Sequence, residues 1–395
     1  MDPLDRETVA RRADVRIALW ALAFRLFSAG LAFLVNIAFP DYQDQRFTMW
    51  GSPSPFWDAF VRFDSGWYNG IARSGYAYVP GGRSNIAYFP VYPLLMRLVG
   101  RLFGRSAGSF YLAGIVVSWA AFIVAALVLY RLARLDVPAR RAERAVLLLT
   151  IFPFAFFFGV VYSESVFLLA TLLAFYLFRT RRWILGGLSG AVATATRVNG
   201  VMMLPALAWV AWRRAGADRT DRATAAFGLV LAASGVATYS AFVYHLTNVA
   251  GGSHNPFEWA ATIERWGYFP GGAPWTSLAH LAGRLLTHPY AYLAGEPMAR
   301  YDVLNGVPAL VVAMSVPFVW RRLGAAYGLF MLANLCLPLS SGQFEGLGRY
   351  CAVMFPFFIW LATLRSRGAV TAIVVAFAMF YTLCLALFTN VYPLF

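Results

Sequence analysis

Residues 61–93 read VRFDSGWYNGIARSGYAYVPGGRSNIAYFPVYP. The stretch sets one carboxylate, Asp64, among aromatics, glycines and arginines. It follows soon after an apolar segment, residues 17–39, that has the length to span a bilayer; about 20 consecutive apolar residues are needed. An acidic, aromatic, glycine-rich loop just outside a first membrane helix predicts chemistry at the membrane surface.

Composition agrees with the membrane part of that reading. Of the 395 residues 60% are hydrophobic and 13% charged, and the mean hydropathy is +0.61. Soluble domains carry about 25% charged residues. The chain is therefore expected to be an all-α polytopic membrane protein, one integral domain over residues 1–395. Aromatics at 17% fit interfacial belts and sugar- or lipid-facing surfaces. The net charge of +15 comes from arginine alone, since there is no lysine. The arginines cluster briefly between apolar runs, as the positive-inside rule requires, which argues against a nucleic-acid partner. The polar start MDPLDRETVARRADVR has no short apolar run with a cleavage site, so residue 17 onward reads as a retained helix.

Eleven apolar segments are candidate spans: 17–39, 109–130, 145–161, 163–178, 183–196, 199–212, 224–248, 302–319, 324–340, 348–364 and 369–390. With a cytoplasmic N-terminus, every adjacent arginine pair falls on the inner side. Arg97, Arg101 and Arg105 fall outside, and their four-residue spacing predicts one face of an interfacial helix. Two long segments then lie on the outer face, about 40–108 and 249–301. Loops of that length are uncommon unless functional. The outer side collects Asp41, Asp44, Asp58, Asp64, Glu164, Glu258, Glu264, Glu296, Asp302 and Glu345.

Asp64 could deprotonate an acceptor hydroxyl as it attacks a sugar's anomeric carbon; the alternative is a cap for a helix over Ser65–Ala72. Trp67, Tyr68 and Tyr88 offer faces on which a sugar can stack. Arg62 could contact a donor phosphate or tune the aspartate, or be a solvated loop charge. Glu164, in YSES, is either functional at the membrane edge or simply facing water. Arg197, in ATATRVNG, could take the phosphate of a lipid-linked donor or pair with Glu164, and Asn199 could bind the same ligand. Arg349, in GQFEGLGRY, repeats that logic, with Glu345 as its nearest structural partner. The run SHNPFEWAATIERW at 253–266 could lie in the interface with Phe257, Trp259 and Ile263 toward lipid, or line an acceptor cleft.

Several chemistries lack their residues. The four histidines form no HExxH or helical pair, so no metal site is expected. No Walker motif, Rossmann fingerprint or GxSxG elbow occurs. Cys336, Cys351 and Cys384 read as small buried hydrophobes.

Taken together, the motifs resemble the bacterial branch of the GPI mannosyltransferase class V (PIG-V-like) family, within the GT-C superfamily of membrane glycosyltransferases. The likeness rests on Arg62–Tyr68 with Ile71-Ala72 and Gly75-Tyr76, on Ala87–Pro93, on Tyr162–Phe167, on Ala195–Gly200 and, more weakly, on Gly348–Tyr350 before Pro356. One departure is Phe63, where the family usually carries Trp. The resemblance implies a GT-C-like fold and a polyprenyl-phosphate donor, with mannose as its sugar. It implies a glycan, glycolipid or protein acceptor at the outer face of the cell membrane. It also implies an inverting displacement with Asp64 as base, and neither cofactor nor metal. A lipid or glycolipid flippase is the competing reading, and a non-enzymatic envelope scaffold a third. Clustering of the ionisable residues on one face favours the enzyme.

Overall fold

Apolar runs close into helices because a chain in lipid must satisfy its own backbone hydrogen bonds. A computed structural model describes residues 3–42, 47–251, 253–268 and 272–394, with backbone alone for 3–11; Asp44 lies outside the described residues. Seventeen α-helices and no strand occur among them. In chain order they are α1 (Pro3–Ala38), α2 (Ser65–Ser74), α3 (Val91–Phe103), α4 (Ala107–Ala133), α5 (Ala139–Thr150) and α6 (Glu164–Arg179). Next come α7 (Trp183–Thr194), α8 (Leu204–Arg214), α9 (Arg219–Val249), α10 (Glu258–Arg265), α11 (Pro274–Thr287) and α12 (Pro289–Gly295). The chain ends with α13 (Ala299–Leu323), α14 (Ala325–Leu339), α15 (Leu347–Ala352), α16 (Phe355–Leu361) and α17 (Arg367–Thr389).

All eleven expected spans are helical in whole or in part, but among the described residues five helices have the length and composition to cross a bilayer: α1 from Arg12, α4, α9, α13 and α17. Helices of 12 to 16 residues, such as α5 to α7, rise only about 18–24 Å, short of a hydrocarbon core of about 30 Å. Three expected spans are interrupted. The 145–161 segment breaks after α5 into the turn Ala155–Phe158; 199–212 begins as the turn Val198–Met203; 348–364 splits into α15 and α16.

A buried cation serves the first break. Arg25 of α1 is 1% exposed. Its guanidinium donates to the Ala155 carbonyl at 2.9 Å and lies 4.6 Å from the centre of the Phe122 ring. An interrupted helix frees carbonyls that lipid cannot satisfy, and here a side chain takes one of them.

Small residues let α7 and α9 approach closely. A Cβ on Gly235 would sit 2.0 Å from the Ala191 carbonyl oxygen, and one on Gly228 would sit 2.6 Å from that of Trp183. Thr194 also donates across the gap to the Ala232 carbonyl, at 2.8 Å. Such interfaces are the usual way membrane helices gain packing. Gly235→Val should therefore destabilise the protein by about 1–3 kcal/mol, read as a lower thermal midpoint in detergent. Gly30→Val, with nothing within 4 Å of its Cβ, should stay near wild type.

The arginine-rich helix ends gather at one pole. Arg179 at the end of α6 holds Asp136 and donates to Tyr327 at 2.6 Å, while Arg214 donates to the Arg179 carbonyl. Glu164 starts the same helix, so the residues around it lie about 22 Å away at the opposite pole. The long loops converge there. In α3 the Tyr92 hydroxyl reaches the Gly114 carbonyl at 3.0 Å and Gly100 packs on Phe110. The helix thus runs antiparallel along the first turns of α4. Arg97, expected on an interfacial face, instead caps α2 by donating to the Ala72 and Arg73 carbonyls.

Candidate active site

A cavity of about 520 Å³ opens where the two long loops meet the interrupted helices. The first loop contributes Asp64, Trp67, Tyr68, Arg83 and Tyr88; the turn before α8 contributes Thr196, Arg197 and Asn199. The second loop adds Ile263, Trp266 and Tyr268, and the stretch after α14 adds Glu345, Arg349 and Tyr350.

Asp64 occupies the N-terminal position of α2, yet its side chain makes no capping bond. The carboxylate turns into the cavity, where it accepts from Tyr88 Oη at 2.7 Å and from Arg349 Nη1 at 2.8 Å. Burial, then the nearby Asp64 charge, raises the proton affinity of the Tyr88 hydroxyl, so it stays an O–H donor. Backbone strain aims the aspartate. Phe63 has φ of +49°, a left-handed conformation that costs a non-glycine residue about 1–3 kcal/mol.

Arg62 holds that strained turn. It is 3% exposed and donates to the Thr389 carbonyl at 2.8 Å, the Phe47 carbonyl at 3.2 Å and Asn36 Oδ1 at 3.2 Å. It is neither a solvated charge nor part of the cavity lining, because it is buried against the end of α17 at Thr389 and the loop carbonyl of Phe47. Arg62→Met is expected to lower kcat at least tenfold with little change in donor KM; charged hydrogen bonds are worth about 1.5–3 kcal/mol each. A donor contact would show the reverse split.

Behind Asp64 the charges alternate. Arg349 also lies 3.8 Å from Glu164 Oε1, and Glu164 pairs with Arg197. The chain Asp64, Arg349, Glu164, Arg197 thus sums to zero. Tyr162, Phe157 and Tyr350 ring the Arg349 guanidinium at 5.7–5.9 Å, and Tyr350 also faces Arg197 at 5.1 Å. Tyr68 Oη meets Ser163 Oγ at 3.0 Å. Glu164 is 1% exposed and does not face water; it is the shared anion of two arginines. Asn199 is also 1% exposed, and neither of its side-chain polar atoms has a partner among the described residues.

Other expectations change here. Glu345 does not pair with Arg349. It accepts from Tyr268 at 2.8 Å, and burial raises its proton affinity. The second loop lines the cleft instead of lying in lipid. Trp259 is buried and donates to Ser240 at 2.9 Å, and Ile263 faces the cavity, while Phe257 alone of the three stays exposed. Glu258 ties that loop to the first by accepting from Tyr78 at 3.1 Å. Arg83 and Tyr268 were not singled out in the sequence; neither stands in a charged or repeated pattern. Among the described residues no group of three His, Cys, Asp or Glu side chains could hold a metal ion.

Residues 15–245, more than half of the chain, match the family described as Mannosyltransferase (PIG-V). The chain belongs to this family. Asp64, Tyr88, Glu164, Arg197 and Asn199 lie inside the matched region and Arg349 beyond it. No curated protein sequence matches it. Among solved structures it is similar to ArnT from Cupriavidus metallidurans bound to undecaprenyl phosphate. That likeness has 15% identity and a TM-score of 0.49 and covers 95% of this chain and 76% of that one. It is also similar to the archaeal oligosaccharyltransferase AglB from Archaeoglobus fulgidus in complex with an inhibitory peptide and a dolichol-phosphate. There the identity is 13% and the TM-score 0.43, over 95% of this chain. The chain spans 56% of the length of that oligosaccharyltransferase.

Proposed function

We propose that this family member transfers a sugar, mannose by family, from a polyprenyl-phosphate donor to an acceptor hydroxyl at the outer face of the cell membrane. The observation that carries the reading is Asp64, turned into a cavity between Tyr88 and Arg349 instead of capping its helix. The acceptor oxygen bonds to the anomeric carbon as the bond to phosphate oxygen breaks, with inversion. Its proton passes to Asp64, and polyprenyl phosphate departs.

Trp67, Tyr68 and Tyr88 supply the faces on which the sugar stacks. Asn199, with an unpaired donor and acceptor, matches a sugar hydroxyl, which is itself both. Arg349 positions Asp64, and Arg197 fixes Glu164 behind it. The phosphate of the donor already activates the sugar, so the step is assigned no cofactor and no metal. The N-terminus is assigned to the cytoplasm, which puts the arginine-rich pole inside.

The test is transfer from polyprenyl-phosphate-mannose to an extract of host lipids and envelope glycans, followed by mass spectrometry of the product. Failure with mannose, glucose, galactose and arabinose donors alike would favour the flippase, to be assayed as lipid scrambling in liposomes.

A further inference from the structure

The cavity walls carry three arginines, and two are already committed. Arg349 neutralises Asp64 and Arg197 neutralises Glu164. The side chain of Arg83 makes no ion pair or hydrogen bond among the described residues, and its guanidinium lies 5.7 Å from the centre of the Trp266 ring. Trp266 in turn packs on Trp67 at 5.2 Å and Tyr88 at 5.6 Å. Its indole N–H is buried without an acceptor among the described residues.

An indole N–H and a guanidinium are both donors only, so this wall lacks an acceptor-only, negatively charged ligand. The guanidinium fork matches phosphate oxygens. The loop that bears Arg83 is held in place on both sides. Ser84 Oγ accepts from the Val79 N–H at 2.7 Å, and Asn85 Oδ1 accepts from the Ala77 N–H at 2.9 Å.

We propose that Arg83, backed by Trp266, binds the phosphate of the lipid-linked donor. The inference rests on the transfer reading and names its phosphate subsite. Inversion needs the base and the leaving phosphate on opposite faces of the sugar. Arg349 touches Asp64 directly, so a phosphate there would share the side of the base. Arg83 lines the cavity beside Trp266, whose ring meets Tyr88, and it is Tyr88 that donates to Asp64, so Arg83 stands two side chains removed from the base. When the anomeric C–O bond breaks, the electron pair stays on phosphate oxygen. The added negative charge then develops beside an uncompensated cation.

The experiment compares wild type, Arg83→Gln and Arg83→Lys in nanodiscs. Binding of undecaprenyl phosphate is measured by calorimetry, and KM for donor and acceptor separately. Arg83→Gln should weaken undecaprenyl phosphate binding about tenfold or more and raise donor KM, with acceptor KM unchanged. Arg83→Lys should recover part of the loss. The thermal midpoint should hardly move, because the side chain is exposed and makes no ion pair or hydrogen bond among the described residues, only the contact with the Trp266 ring. Inorganic phosphate at millimolar concentration should not compete. If it binds wild type as well and Arg83→Gln abolishes that, the site serves a soluble phosphate and the lipid assignment falls. Wild-type transfer with unchanged donor KM in Arg83→Gln overturns the proposal and leaves the transfer reading standing. A wild type that neither transfers sugar nor binds undecaprenyl phosphate overturns both.

Discussion

Asp64→Asn should abolish sugar transfer while leaving the protein folded and able to bind its donor. The substitution keeps the size of the side chain and a carbonyl oxygen that can accept from Tyr88 or Arg349. It removes the charge, and with it the capacity to take a proton. General-base catalysis contributes about 10²–10⁴-fold, equivalent to about 3–5 kcal/mol of transition-state stabilisation. The loss should fall on kcat, with donor binding within a few-fold of wild type. Folding should hold because Arg349 keeps Glu164 as a second carboxylate neighbour. Product formation by mass spectrometry, beside a thermal melt and donor titration, separates these effects. Turnover within tenfold of wild type would exclude Asp64 as the base.

The same residues show what a sequence can reveal. Asp64 and Tyr88 stood out as an acid and an aromatic face in a glycine-rich outer loop, and Glu164, Arg197 and Arg349 because charges in a chain this apolar are costly unless they meet; in the fold they do meet. Arg62 was legible as unusual but not as a clamp, since its burial depends on Phe47 and Thr389, one of them 327 residues away. Glu345 sits four residues before Arg349, the spacing of a helical ion pair. Gly346, in the left-handed region, turns the chain just before α15 begins, so the two side chains find different partners. Hydropathy located all eleven apolar runs but could not separate a continuous helix from a broken one. In residues 151–163 the only local signals were Pro153 and Gly159. Two of the three broken runs deliver Asn199 and Arg349 to the site and the first ends just before Glu164, which fits the rule that irregular backbone at membrane depth is kept where protein or a cavity surrounds it.

The second large effect concerns the buried charges. Arg197→Met should cost about 3–5 kcal/mol of stability, because it removes the close partner of a buried carboxylate and leaves it only the longer contact to Arg349. Glu164 is 1% exposed and its Oε2 already has no hydrogen-bond partner among the described residues. Removing both charges as Glu164→Gln/Arg197→Met should restore much of that loss, since replacing a whole buried pair is often near neutral. The cycle is read from thermal unfolding in one fixed lipid mixture, with a coupling energy of about 1–3 kcal/mol expected between the two sites. Catalysis should follow the same pattern. In the single variant Glu164 is left to Arg349, 3.8 Å away, and competes with Asp64 for that guanidinium, so kcat falls. In the double variant Arg349 returns to Asp64 and kcat recovers. Equal losses in single and double variants would sink the pairing argument. A donor KM that stays raised in the double variant would instead give Arg197 the phosphate, in place of Arg83.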